Sequence, residues 1–223
     1  LENKCSVIGC DINAPENNSI WSHENIAFHR LNVSDCEEVE AFFKTVVRYP
    51  PDVTDSILIN CAGLIRTELM CSNFGAETHS LKTWQEIINV NLTGSFLMSR
   101  GFIQKTVRAR LGGIIVNIGS VNHTGVLGQS AYSATKAGLD ALSRVWSQEL
   151  GDYGIRAVSV HPGYLDTPSM ETNTSCEWRR EILNKTSQKR FVDPAEVAQT
   201  VWFCIQNKSI DNTSIYVTAG FAG

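Results

Sequence analysis

Short apolar runs alternate with longer amphipathic stretches along the chain. Cys5 to Cys10 (C-S-V-I-G-C) is an apolar run ending in Asp11 and Ile12. The polar, Pro-containing stretch Asn13 to Ser19 follows it, as when a buried parallel strand leaves into a loop. Ile26 to Val33 (I-A-F-H-R-L-N-V) predicts a second strand. From Ser34, S-D-C-E-E-V-E-A-F-F-K-T-V-V opens on a capping residue and places acids in its first turn. It spaces Val39, Phe42, Phe43, Val46 and Val47 on one face, the pattern of a helix packed on a sheet. Ser56 to Cys61 predicts a third strand running into N-C-A-G. Trp84 to Arg110 carries Trp84, Ile87, Ile88, Phe96, Leu97, Phe102, Ile103 and Val107 at helical spacing, and Gly112-Gly113 ends it. A strand over 114–118, a helix from Tyr132 to about Leu150 and a strand over Arg156–His161 come next. A Pro-Gly turn, a polar and mobile-looking stretch over 166–190, a helix from Pro194 to Gln206 and a strand over Ser214–Thr218 complete the pattern.

Strands alternating with helices of this length predict an α/β fold, a Rossmann-like doubly wound parallel sheet covered on both faces. No internal repeat, low-complexity tract or linker divides it, so residues 1–223 are expected to form one domain.

Composition narrows the function classes. With 223 residues, 43% of them hydrophobic, and a formal charge of −4, the chain can bury a full core. Its mild acidity gives no electrostatic reason to expect nucleic acid. No run of about 18 apolar residues predicts a membrane span. The seven cysteines form an odd set without a C-x-x-C pair, and several sit in apolar runs, which predicts reduced, buried thiols rather than a disulfide framework or a metal site. A reducing compartment, cytoplasm or mitochondrial matrix, is expected. Eight N-x-S/T sequons occur, and one starts at Asn91 inside an apolar helical pattern, so they carry no argument for secretion.

The candidate chemistry centres on G-G-I-I-V-N-I-G-S, ending at Ser120, and on Y-S-A-T-K-A-G-L, which starts at Tyr132. Tyr132 and Lys136 are i and i+4 on one helix and share a face. A phenol of ordinary pKa near ~10 is a poor acid/base at neutral pH unless a cation lowers it, and a lysine one turn away can do so. Ser120, at a strand's C-terminal end, can donate to a substrate carbonyl. The same spacing alone also describes a solvated helix face. His123 and His161 have no nucleophile paired with them in the sequence, and packing roles are expected for both.

Five motifs in order, N-C-A-G at Asn60, N-V-N-L-T-G around Asn91, Ser120, Y-x-x-x-K, and H-P-G-Y-L-D-T from His161, resemble the short-chain dehydrogenase/reductase family over nearly the whole chain. The resemblance implies that Tyr132 is the catalytic acid/base, that Lys136 lowers its pKa and holds the nicotinamide ribose, and that Ser120 donates to the substrate carbonyl. Asn91 matches the helix asparagine that holds a water in a proton relay. Asn60, Ala62 and Gly63 match the segment that lines the cofactor and steadies the sheet, while Pro162, Gly163, Leu165 and Thr167 match the segment at the nicotinamide end. Asp11 and Ile12 fall where the adenosine ribose binds, and L-N-V-S-D resembles the adenine-binding segment, with Asn32 in place of the usual Asp and Val33 after it. An acid at Asp11 accepts from both ribose hydroxyls and repels a 2′-phosphate, so NAD is favoured over NADP. No metal is implied.

The G-V-L-G-Q-S-A-Y-S-A-T-K-A-G-L, E-L-G-D-Y-G-I-R, R-F-V-D-P-A-E-V-A and T-S-I-Y-V-T-A-G segments are similar to the β-ketoacyl-carrier-protein reductases and 17β-hydroxysteroid dehydrogenase type 8-like members. That likeness implies hydride transfer to or from a secondary alcohol or ketone, with a lipophilic small-molecule substrate such as a 3-oxoacyl thioester or a 17-ketosteroid. It also implies a homodimer or homotetramer built on the long central helices. Asn212 stands where that group has glycine, which Asn tolerates. The family's T-G-x-x-x-G-x-G turn has no match in the sequence. The chain is therefore expected to be N-terminally truncated relative to the family, with an unfilled central strand position between the strands ending at Asp11 and Asn60. A non-catalytic subunit or regulatory partner is the alternative expectation.

Overall fold

The computed structural model describes residues 5–14 and 23–222. The expected loop over Asn13 to Ser19 lies largely outside them. Strand β1 (Val7–Asp11) pairs in parallel with β2 (Ile26–Arg30), Val7 opposite Ile26 and Asp11 opposite Arg30. Helix α1 (Cys36–Thr45) follows, capped by the Asp35 carboxylate, which accepts from the amides of Glu37 and Glu38, and not by Ser34. Strands β3 (Asp55–Asn60), β6 (Gly112–Ile118), β7 (Ile155–Pro162) and β8 (Ser214–Val217) form an all-parallel sheet in the order β3-β6-β7-β8. A small antiparallel hairpin, β4 (Cys71–Ser72) and β5 (Glu77–Thr78), which periodicity did not reveal, lies between β3 and the long helical segment.

That segment begins earlier than the apolar spacing predicts. Helix α2 (Leu81–Ile88) is capped by Ser80, a π-helical turn spans Asn89–Gly94, and α3 (Ser95–Arg108) continues from it. Gly113 does not simply end this helix. It lies in β6, where a Cβ would stand 2.5 Å from the Ser56 carbonyl oxygen. Helix α4 (Ser130–Leu150) joins β6 to β7, and α7 (Pro194–Gln206), with a capping box between Asp193 and Glu196, joins the last turn to β8. The polar stretch 166–190, read from the sequence as mobile-looking, contains α5 (Pro168–Asn173) and α6 (Cys176–Lys185), started by side-chain caps from Thr167 and Ser175 respectively. Ser/Thr/Asn richness there reflects N-caps as much as loops.

Both faces of the four-stranded sheet are packed, because successive side chains of β6 alternate between two apolar clusters. Ile115 joins Leu31, Phe42, Phe102 and Trp146 on the side of α1, α3 and α4, while Ile114 and Val116 join Val158, Val160 and Val201 on the side of α7. Arg156 fixes α7 to β7: its guanidinium donates to the carbonyls of Cys204, Ile205, Asn207 and Ile210 around the helix C-terminus.

Cys10 of β1 and Leu58 of β3 lean on the same apolar cluster, yet the two strands lie in separate sheets. Among the described residues no strand joins them. Ile57 and Ile59 of β3 remain 39% and 45% exposed, whereas Ile115 and Val116 of the interior strand β6 are at 0%. This is the interruption expected from the sequence. The expectation for the thiols is corrected: no disulfide joins the cysteines among the described residues, but only Cys204 is buried, and Cys36, Cys61, Cys71 and Cys176 are exposed.

Candidate active site

The site forms where the C-terminal ends of β3, β6 and β7 meet the N-terminal half of α4. β6 delivers Ser120, whose hydroxyl accepts the Asn122 amide at 3.1 Å and so caps the 3-10 turn Val121–Thr124. The first turns of α4 carry Tyr132 and Lys136 toward it. The Ser120 side chain lies close enough to the Tyr132 phenol to act on it. Lys136 is only 4% exposed; its Nζ donates to the Ile118 carbonyl at 2.7 Å and stands 5.6 Å from the centre of the Tyr132 ring.

The electrostatics differ from the expectation in one respect. Burial pushes Lys136 down from 10.5 to about 8. Tyr132 is raised, not lowered: burial drives it up, Tyr164 adds to that, and the Ser120 side chain pulls it down less strongly. The physical reason is geometric. The ammonium stands over the ring, 5.6 Å from its centre, and is tied to a backbone carbonyl, and desolvation outweighs the cation.

Asn91 closes the site from behind. Its place in a π-helical turn widens the helix locally and turns the amide inward. There it accepts the Leu64 amide at 2.7 Å and donates to the Leu64 carbonyl at 2.8 Å and to Thr135 Oγ1 at 3.3 Å. A Cβ added to Gly63 would lie 3.6 Å from Asn91 Oδ1 and 3.8 Å from Lys136 Nζ, so the N-C-A-G segment passes directly in front of both. Asn60 does not face this space. Its amide donates to Ser99 at 2.9 Å and to Asn117 at 2.8 Å inside the core, and Asn117 in turn donates to Ser143.

On the far side, Pro162 ends β7 and the Gly163 amide donates to the Val217 carbonyl at 2.8 Å. A Cβ at Gly163 would sit 3.0 Å from Thr218 Cα, so glycine is needed for this crossing. Leu165 bridges to Val192, and Thr167 caps α5. Asp11 is exposed at the end of β1 and accepts the Asn13 amide at 2.8 Å. Asn32 turns its side-chain oxygen to Ser34, and Val33 packs against Gly94.

Several residues at the site escaped the sequence reading. Arg30 is far from Asp11 in sequence but opposite it in the strand register, and its Nε donates to the Ile12 carbonyl at 3.0 Å. Tyr164, close enough to raise Tyr132, donates to Asn122 at 3.3 Å and packs edge-on against Trp178 and Phe221. Leu69, Met70 and Leu127 are exposed beside one another where the Glu68 amide pairs with the Gly128 carbonyl. None of these carries a local motif; strand register and loop packing bring them in.

The set fits the nicotinamide-ribose end of a dinucleotide, since Gly63 leaves open backbone in front of Asn91 and Lys136. Among the described residues no glycine-rich turn offers amides to a pyrophosphate. Nor, among them, is any group of three or more His, Cys, Asp and Glu placed to hold a metal ion.

Comparison with known proteins agrees with this arrangement. Residues 1–222 match the family profile described as enoyl-(acyl carrier protein) reductase. The chain is 34% identical over 187 residues to (3R)-3-hydroxyacyl-CoA dehydrogenase of Canis lupus familiaris, covering 82% of this chain and 66% of that protein. It is 32% identical over 193 residues to the 3-oxoacyl-acyl-carrier-protein reductase FabG of Vibrio harveyi, covering 85% of this chain and 75% of the reductase. Thus the match spans just under two thirds of the length of the canine dehydrogenase. A crystal structure from Agrobacterium tumefaciens, provisionally assigned as a gluconate dehydrogenase, superposes with a TM-score of 0.79 at 25% identity, covering 91% of this chain and 78% of that one.

Proposed function

The chain belongs to the short-chain dehydrogenase/reductase family, and on that premise we propose that residues 1–223 form a single hydride-transfer domain acting between NAD(H) and a secondary alcohol or ketone. The observation that carries this reading is that Tyr132 lies beside Ser120 and Lys136, and that Lys136 and Asn91 stand together behind Gly63. A bound nicotinamide dinucleotide supplies or accepts the hydride. In the reducing direction Tyr132 gives its phenolic proton to the carbonyl oxygen while Ser120 donates a hydrogen bond to that oxygen as charge builds on it. The phenol is neutral at physiological pH, as burial requires, and is loaded for this direction. Lys136, with Asn91 behind it, holds the ribose and restores the proton. Ala62, Gly63, Pro162, Gly163, Leu165 and Thr167 would border the nicotinamide, and Asp11, Ile12, Asn32 and Val33 the adenosine.

The substrate proposed is lipophilic, a 3-oxoacyl thioester or a 17-ketosteroid. The acyl-thioester relatives and the exposed Leu69, Met70 and Leu127 support it, and α5 and α6 would cover it. NAD is the proposed cofactor on account of Asp11; Arg30 across the strand pair is the group that would favour a 2′-phosphate instead. A homodimer or homotetramer through α3 and α4 is proposed, where Phe96, Ile103, Trp146 and Leu150 line an outer groove of about 320 Å³. Four exposed free thiols fit a reducing compartment, cytoplasm or mitochondrial matrix.

One observation favours a second reading, a non-catalytic subunit or regulatory partner: β1 and β3 share no ladder among the described residues, and no glycine loop stands between them. Parallel titration with NADH and NADPH, followed by turnover of an acetoacetyl thioester and a 17-ketosteroid, separates the readings. Saturable NADH binding with turnover lost in Tyr132→Phe supports the enzyme. Turnover retained by Tyr132→Phe refutes the site, and no binding of either nucleotide supports the subunit.

A further inference from the structure

Two histidines converge on the peptide of Ser120 from below. His161, in β7, is 0% exposed. Its Nδ1 lies 3.2 Å from the Ser120 amide nitrogen and 3.1 Å from the Ser120 carbonyl oxygen, and its Nε2 lies 3.3 Å from Asp140 Oδ1. His123 Nδ1 lies 2.8 Å from the same Ser120 carbonyl, and its Nε2 lies 3.2 Å from the Tyr216 hydroxyl. The two rings are 4.5 Å apart, and Tyr216 stacks on His161 at 4.9 Å. A Cβ on Gly119 would stand 2.5 Å from His161 Nδ1, so only glycine there lets the imidazole reach the peptide.

The hydrogen bonds admit a self-consistent proton arrangement with both rings neutral. Asp140 is held below the usual carboxylate range: burial would raise it, but the Ser214 hydroxyl, His161 and Arg144 outweigh burial. As a carboxylate it only accepts, so His161 Nε2 carries a proton and donates to it. In the neutral ring Nδ1 is then an acceptor and takes the Ser120 amide. That leaves the Ser120 carbonyl to His123 Nδ1–H, and His123 Nε2 accepts from the Tyr216 hydroxyl. Every polar group is satisfied with both rings neutral. Burial first, and His123 beside it, keep His161 below its ordinary histidine value despite the raising effect of Ser120 and Asp140. Asp140 lies one turn beyond Lys136 and two beyond Tyr132 on α4, so the same helix that carries the acid/base anchors the peptide that carries the hydroxyl.

We propose that His161, backed by Asp140 and paired with His123, is the positioning residue for Ser120: the two neutral imidazoles clamp the Ser120 amide and carbonyl and so aim its hydroxyl at Tyr132 and the substrate oxygen. This rests on the hydride-transfer reading of the site. Protonation of His161 removes the acceptor of the Ser120 amide and sets an N–H against that N–H instead. The clamp therefore opens on acidification. The charged and titratable groups facing the ring are Asp140 and Arg144 on α4, His123 on the 3-10 turn and Tyr216 on β8.

The test has a structural and a kinetic arm. Long-range ¹H–¹⁵N NMR of the imidazoles at pH 7 should show His161 as the Nε2–H tautomer and His123 as the Nδ1–H tautomer, without any need for turnover. Kinetics with NADH and an acetoacetyl thioester compare His161→Phe, which removes the acceptor, with His161→Asn, whose Oδ1 can replace Nδ1 without titrating. His161→Phe should lose at least ~10-fold in kcat with little change in KM for NADH. His161→Asn should recover most of kcat and lack the parent's acidic limb. A His161 that is charged or Nδ1-protonated at pH 7 overturns the proposal, as does a His161→Phe turning over within twofold of the parent, or a His161→Asn no better than His161→Phe. If Tyr132→Phe also retains turnover, the site reading has failed, while the tautomers still decide the clamp.

Discussion

Replacing Lys136 by Met should change how stability depends on pH. The Lys136 ammonium is buried and falls from 10.5 to about 8. At about 1.4 kcal/mol per pH unit, that fall means about 3 kcal/mol of unfavourable burial while the group is charged in both states. The sign follows from proton counting. Below pH 8 both folded and unfolded chains hold the proton and the full penalty applies. Between pH 8 and 10.5 the unfolded chain holds more protons, so stability rises with pH, and about 2 kcal/mol of the penalty is relieved by pH 9.5. Lys136→Met lacks this term, though it leaves the Ile118 carbonyl without its donor, at a cost of about 1–3 kcal/mol that does not vary with pH. The informative quantity is thus the difference between the two proteins across pH, in which other titrating groups cancel. Urea unfolding under reducing conditions at pH 7, 8.5 and 9.5 should show the parent gaining on the variant by about 2 kcal/mol. At an m-value of about 2–3 kcal/mol/M this is about 0.7–1 M in midpoint. A difference constant to within ~0.5 kcal/mol would refute the burial argument.

Two further substitutions probe the frame that holds the site. A Cβ at Gly101 would lie 2.3 Å from Phe43 Cδ2 where α3 crosses α1, whereas one at Gly151 meets nothing within 4 Å. Gly101→Ala should therefore cost about 1–3 kcal/mol and lower Tm by about 2–4 °C per kcal/mol in thermal unfolding, while Gly151→Ala should not lower it; equal effects would count against the close crossing. Asn117→Ala removes the acceptor of Asn60 and a donor to Ser143 in the core, and should cost about 2–4 kcal/mol in urea unfolding, with a loss under 1 kcal/mol contradicting the network.

The parts of the fold written locally were legible. The apolar runs at β3, β6 and β7 and the amphipathic spacing of α1, α4 and α7 need only period and caps to be read. Helices α5 and α6 were not read from the polar stretch that holds them, because the Ser and Thr residues that cap them are also common in loops. Hairpin β4–β5 was missed because two-residue strands carry no periodicity.

The site divides in the same way. Ser120, Tyr132, Lys136, Asn91 and the Pro162 turn could be proposed because five motifs in order resemble those of a known family, whereas the Tyr132–Lys136 spacing alone also describes a solvated helix face. Arg30 beside Ile12, Tyr164 beside Tyr132, and His161 with Asp140 beneath Ser120 could not. Each is joined by strand register or layer packing across many residues, and nothing local marks it. Charge followed the same rule. The i, i+4 spacing put Lys136 near Tyr132, but only the tertiary structure decided that burial, not the cation, sets the phenol, because desolvation depends on what surrounds a group and not on what precedes it.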